Sequence, residues 1–271
     1  MSNYKELIKN LDKKLLNGSL SFLYKILIFP LLVKYEEILV KYEENKITSL
    51  PKGYKKNFGL TARYNFFKRA QYYLQVNRID GVYLEFGSHE ANTFRMALNT
   101  LGLPKKPNHI SKFYAFDSFE GMPEPEGIDK QKIWRRSMNF TSKEKFLHIV
   151  KKDLHRVEAV KGFYDVTLSN FKLKNNEKVA LAYIDCDYYS STKYCLKFIK
   201  DNMKNMQHGC LIAFDDWDCY YSDAMRGQRL AFSEFEKELV KTYKFEILCD
   251  IASGGKCFVA LELDKIGKDV L

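Results

Sequence analysis

The 271-residue chain predicts an α/β fold: a mostly parallel sheet with helices on both faces, an antiparallel C-terminal edge hairpin and a helical N-terminal extension. Three observations point there. Two apolar runs, Leu181-Ala-Tyr-Ile and Leu211-Ile-Ala-Phe, read as parallel strands buried on both faces, and each stops abruptly at aspartates. From Gly81 onward, strand-like and helix-like stretches alternate, as a parallel sheet with crossover helices requires. Before that point, the chain shows only helical periodicity.

Residues 1–46 read as lysine- and glutamate-rich helices broken near Asn17-Gly18 and at Pro30, and Pro51-Lys-Gly53 sits in a turn. Residues 61–78 form a helix that feeds the first strand. Strands are expected over 82–86, 112–116, 157–161, 179–184 and 210–214, with helices over 91–101, 142–152 and 191–205. A helix over 229–242 precedes a closing strand pair, 244–249 and 256–263, joined through Ser253-Gly-Gly255. The expected organisation is an extension over residues 1–60 and a catalytic-type domain over 61–271.

A hydrophobic fraction of 46% supplies a sizeable core. The six cysteines show no CxxC pair or zinc-like spacing, which suits a reducing, cytoplasmic setting. Residues 1–80 hold 15 Lys/Arg against 7 Asp/Glu, so +8 of the +10 net charge lies there. That basicity suits anionic lipid or a phosphate-bearing substrate, or is simply a solvated surface. A nucleic-acid binder would spread a basic groove over the folded body, so no nucleic-acid partner is expected. The apolar run at residues 20–33 is too short to span a bilayer, which takes roughly 20 residues. Core or homodimer packing, or peripheral contact with the inner membrane face, accounts for it.

Leu84-Glu85-Phe86-Gly87-Ser88 ends the first strand in a tight turn before a helix, where backbone can approach an acidic ligand, although a plain strand-to-helix turn also explains it. Asp117 ends the second strand, where an acid in nucleotide-type folds accepts from ribose hydroxyls; a turn cap is the plainer reading. Asp185 and Asp187 lie two apart, so an extended backbone would direct both to one face. If their strands are neighbours, Asp185 can share a cation with Asp215 or Asp216, and an all-oxygen set suits a hard ion such as Mg²⁺. The absence of GxGxxG argues against a nicotinamide dehydrogenase, and no GxSxG elbow or Walker motif is present. His89 is placed beside the glycine turn and His208 in the turn before the fifth strand.

Leu84-Glu-Phe-Gly, Phe116-Asp-Ser-Phe-Glu-Gly-Met-Pro-Glu, Val160-Lys-Gly-Phe-Tyr-Asp-Val-Thr-Leu, Tyr183-Ile-Asp-Cys-Asp-Tyr-Tyr-Ser-Ser-Thr and Phe214-Asp-Asp follow in this order. Over residues 60–262 this pattern resembles the macrocin O-methyltransferase (TylF-type) family, class I (Rossmann-like) S-adenosylmethionine enzymes that mostly methylate sugar hydroxyls. The resemblance implies a seven-stranded sheet with Glu85, Gly87, Ser88, Asp117, Ser118 and Asp185 around the methyl donor. It further implies Mg²⁺ on Asp185, Asp215 and Asp216, with Asp187 as general base. Ala91-Asn92 departs from the glycine pair common in the family.

The acceptor is expected to meet Trp134 and Arg135, in a lid-like stretch over 123–139 that also holds Arg136. Tyr188, Trp217, Tyr220, Tyr221 and Arg226 are expected there too, since aromatics stack on sugars and arginine forks grip phosphates. A nucleotide-linked or glycan sugar for surface polysaccharide is the expected substrate. A catechol-like or other small hydroxylated metabolite is the alternative acceptor, and a non-catalytic scaffold the alternative role.

Overall fold

A computed structural model describes residues 58–102 and 110–268. The apolar run at 20–33, with the dimer and membrane readings attached to it, lies outside the described residues. No helix among the described residues is long and apolar enough to cross a membrane.

The elements run α1 (Phe58–Val76), β1 (Gly81–Phe86), α2 (Asn92–Thr100), β2 (Ile110–Asp117), α3 (Lys143–Ile149), β3 (Val157–Lys161), α4 (Tyr164–Asn170), β4 (Val179–Ile184), α5 (Tyr189–Asp201), β5 (Met206–Phe214), α6 (Gly227–Leu239), β6 (Tyr243–Ile251) and β7 (Gly255–Glu262). The seven strands form one sheet in the order β3-β2-β1-β4-β5-β7-β6. β1 to β5 pair in parallel, and β7 runs antiparallel between β5 and β6. The closing hairpin is therefore an edge unit whose outer strand is β6.

Strand alternation sorts the core into two layers. Leu84, Phe86, Tyr114, Phe116, Ile184, Ile212 and Phe214 pack on one face against Leu196, Phe198 and Ile199 of α5 and Phe232 and Phe235 of α6. Tyr83, Phe113 and Tyr183 point to the other face, where rings of α1 (Phe66, Phe67) and α2 (Phe94) meet them. Completely burying such a side chain contributes about 1.5–3 kcal/mol, and β4 is buried at all six positions.

Several bounds shift by a few residues, and two of the shifts have a clear physical cause. β5 starts at Met206, not 210, so His208 belongs to the strand, and its Nδ1 accepts the Glu262 N–H at 3.1 Å. His208-Gly209 reads as a turn because Gly209 sits at φ +82°, yet the register shift beside it is a bulge within a continuing strand. α5 starts at Tyr189 because Asp129, from a distant loop, accepts the Tyr189 and Ser190 N–H groups at 2.7 and 3.0 Å. A remote carboxylate does the capping that sequence reading seeks locally.

Candidate active site

The hydrogen-bond ladder continues one residue past four of the five parallel strands, β3, β1, β4 and β5. Gly162 N–H donates to Asp117 O, Gly87 N–H to Phe116 O, Asp185 N–H to Phe86 O and Asp215 N–H to Ile184 O, all at 2.9–3.0 Å. Strand register thus sets a row of residues along the carboxyl rim of the sheet, where open α/β sheets bind ligands. A cleft of about 1020 Å³ follows this rim. Gly87, Ser88, Asp117, Ser118, Asp185, Asp187, Asp215 and Asp216 all line it, as does His89.

At the β1–β2 end, the Asp117 carboxylate organises the turns. Its Oδ2 accepts the N–H groups of Ser88 (2.8 Å) and His89 (3.1 Å), and its Oδ1 that of Phe119 (2.7 Å). Ser118 Oγ closes the second turn on Gly121 O at 2.7 Å. Gly87 has φ +91°, and a Cβ there would lie 1.8 Å from the Asp185 carbonyl oxygen. The glycine thus lets β1 turn against the end of β4. At Ala91, where the sequence departs from the glycine pair that the resemblance implies, the backbone is left-handed all the same, at φ +57° with the side chain buried. Glu85 lies beneath the turn, not on the cleft wall; it accepts from Tyr83 and, at 3.0 Å, from Thr93 Oγ1. Burial pushes its carboxyl from an ordinary 4.5 up to about 8, against the pull of those hydrogen bonds.

At the β4–β5 end, the strands are neighbours, and carboxylate oxygens of Asp185, Asp215 and Asp216 lie within 4.8 Å of one another. The backbone after Asp185 is not extended, which corrects the two-residue alternation argument. Asp187 has φ +58°, and its N–H donates to Asp216 Oδ2 at 3.0 Å, so a tight turn folds it back over the cluster. Loss of solvation, then the Asp215, Asp216 and Asp187 carboxylates, hold the Asp185 carboxyl well above its ordinary range. Loss of solvation and Asp215 push Asp187 up to about 7. Buried Gln228 fixes Asp216: its Oε1 accepts the Asp216 N–H at 2.9 Å while its Nε2 donates to Ile184 O at 3.1 Å. Asp215 faces α1, where Arg63 grips both its oxygens and the Tyr183 hydroxyl donates to Oδ1 at 2.5 Å.

The expected acceptor residues divide. Arg136, not Arg135, lines the cleft, and Arg135 is exposed. Trp134 packs edge-on against Tyr188 and Tyr220, and Arg226 lies over the Tyr220 ring while donating to Ile128 O at 3.1 Å. This aromatic cluster and Asp129 tie the 123–139 stretch to α5 and to the loop after β5. Trp217 joins Phe214, Phe232 and Phe258 in the core, capped by Arg229, and Tyr221 is fully exposed. Sequence reading missed Gly162, Phe163 and Tyr164 on the cleft wall, although Val160-Lys-Gly-Phe-Tyr at a strand end was the signal. It also missed Arg63 and Gln228, for which no local signal exists.

A seven-stranded sheet in this order, with a reversed seventh strand and a cleft along its parallel strand ends, defines a class I, Rossmann-like methyltransferase. The macrocin O-methyltransferase (TylF) family model matches residues 58–241, and the chain belongs to that family. It is accordingly an S-adenosylmethionine-dependent O-methyltransferase. The O-methyltransferase NovP is similar in structure, with a TM-score of 0.56 and 17% identity over 74% of this chain and 80% of that one. CalS11, a calicheamicin methyltransferase, aligns with a TM-score of 0.55 and 16% identity over 96% and 93%. Apo CalS11, a TDP-rhamnose 3′-O-methyltransferase, gives 0.50 and 19% over 83% and 94%. At such identities the likeness is one of fold. No curated protein matches the chain by sequence.

Proposed function

We propose that the protein is a Mg²⁺-dependent sugar O-methyltransferase whose acceptor is a nucleotide-linked or glycan sugar, made for surface polysaccharide. The observation that carries this reading is the continuity of the cleft, which joins the β1–β2 turns to the four aspartates at the ends of β4 and β5. Its volume lies at the upper end of the roughly 300–1000 Å³ of ordinary ligand sites, as suits a donor and an acceptor together. Membership of the macrocin O-methyltransferase family and the TDP-rhamnose named for CalS11 support a sugar hydroxyl as acceptor. Arg136 and Lys161 on the cleft wall suit the phosphates of a nucleotide-linked sugar.

In this reading, S-adenosylmethionine brings its own electrophilic methyl group, held by the Gly87–Ser88 turn, Asp117, Ser118 and the backbone of Asp185. Three converging carboxylates fit a hard divalent ion, held by Asp185, Asp215 and Asp216, which would lower the cost of negative charge on an acceptor oxygen. Asp187 takes the hydroxyl proton as the oxygen–methyl bond forms and the methyl–sulfur bond of the donor breaks, its electron pair staying on sulfur. Its backbone turn and the hydrogen bond from its N–H to Asp216 fix its position beside the cluster, within reach of an acceptor hydroxyl in the cleft.

The test is methyl transfer from labelled S-adenosylmethionine to TDP- and UDP-sugars, free sugars and catechol, with Mg²⁺ or with chelator. Label on a sugar hydroxyl, lost with chelator, is the expected result. Transfer confined to catechol, or undiminished by chelator, contradicts the proposal.

A further inference from the structure

The aspartate cluster already contains a cation of the protein's own. Arg63, on α1, donates from Nε to Asp215 Oδ1 at 2.7 Å and from Nη2 to Oδ2. Tyr183 supplies another donor to Oδ1. A carboxylate offers about four lone-pair positions, so three of those on Asp215 are taken. Asp215 is 3% exposed, and its oxygens are among those that converge with Asp185 and Asp216. A bidentate guanidinium and a divalent ion would therefore claim the same carboxylate. Two cations at contact distance on one carboxylate repel each other, strongly so where water is scarce.

The geometry also offers a way out for the side chain. Arg63 lines the cleft, and its side chain is 26% exposed, whereas the Asp215 side chain is 1% exposed. Asp215 is fixed on the strand end by its own N–H and by Tyr183, but Arg63 is a long side chain on the cleft wall.

We propose that Arg63 is the resident counter-ion of the cluster, and that a divalent metal enters by displacing its guanidinium from Asp215. Metal affinity is then set by the strength of the Arg63–Asp215 fork. Helix α1 becomes the element that senses whether metal is bound. The inference rests on the metal reading above and specifies the event that loads the site.

Two experiments on the full chain test it. Calorimetric titration of Mn²⁺ into wild type, Arg63→Gln, Arg63→Lys and Asp216→Ala should show Arg63→Gln binding at least tenfold tighter than wild type. Arg63→Lys should fall between them, since an ammonium group cannot make the fork, and Asp216→Ala should lose binding. Arg63 variants that bind like wild type or more weakly, while Asp216→Ala still abolishes binding, overturn the role of Arg63 and leave the metal site standing. No binding by any of the folded proteins removes the metal reading and this inference together. Should Arg63→Gln not fold, ¹⁵N NMR of the arginine Nε–H groups in wild type decides. The resonance missing from Arg63→Lys should move on adding Mg²⁺; a fixed resonance despite saturating metal overturns the proposal.

Discussion

The two ends of the cleft hold their carboxylates in opposite ways. At the β1–β2 end, Asp117 is satisfied by three backbone N–H groups, two of them from the neighbouring turn and one from its own. At the β4–β5 end, the Asp215 carboxylate depends on the side chains of Arg63, 152 positions away, and Tyr183, whereas the Asp216 carboxylate accepts the Asp187 N–H and Gln228 holds the Asp216 backbone. Backbone N–H groups of the turns thus hold one carboxylate, while side chains from other elements balance a cluster whose like charges oppose one another. The first arrangement suits a constant ligand such as the methyl donor. The second suits a site whose charge changes as a metal and a proton come and go.

If that division holds, damage at one end should spare the other. The largest effect is expected for Asp187→Asn, which should lower kcat by roughly 10²–10⁴, the usual contribution of a positioned proton acceptor, while donor affinity stays unchanged. Rapid-quench turnover together with donor calorimetry checks this. A comparable loss of donor affinity would mean that the two ends are not separate.

Glu85 gives a second, smaller effect, confined to the donor end. It is buried with no cationic partner among the described residues, and its carboxyl is raised to about 8. The folded protein therefore favours the neutral acid. Stability from this group is fully present below its ordinary value near 4.5 and declines as pH rises toward 8, by up to about 1.4 kcal/mol per pH unit. Glu85→Gln, neutral and of the same shape, should gain on wild type in urea denaturation as pH rises through that window. Parallel curves would mean that Glu85 stays ionised.

The smallest effect concerns Ala91. A left-handed conformation costs a non-glycine residue about 1–2 kcal/mol, part of which glycine returns as chain entropy. Ala91→Gly should raise stability by about 1 kcal/mol or less, read from the denaturation midpoint, with the metal end unaffected. A loss of stability would show that packing of the Ala91 methyl group outweighs the strain.

The same contrast governs what the sequence discloses. β3 and β4 match their expected bounds because apolar runs and flanking polar residues are local signals. The cleft-lining aspartates were legible because each ends such a run. His208 was misplaced because a glycine bulge and a glycine turn look alike in sequence. Arg63, Gln228 and the Asp129 cap were invisible, since each acts on a partner in another element, chosen by the tertiary fold. Trp134, Trp217 and Tyr220 carry the right chemistry for a sugar, but aromatic type cannot separate a stacking platform from the hydrophobic packing they make here.

In the proposed function, one cleft keeps a donor end and a metal end with separate supports. Calorimetric titration of S-adenosylmethionine and of Mg²⁺ into wild type, Asp117→Ala and Asp216→Ala tests it most directly. Asp117→Ala should weaken donor binding at least tenfold and leave Mg²⁺ binding intact, and Asp216→Ala should do the reverse. Both ligands lost together in either folded variant, or donor binding untouched by Asp117→Ala, would contradict it.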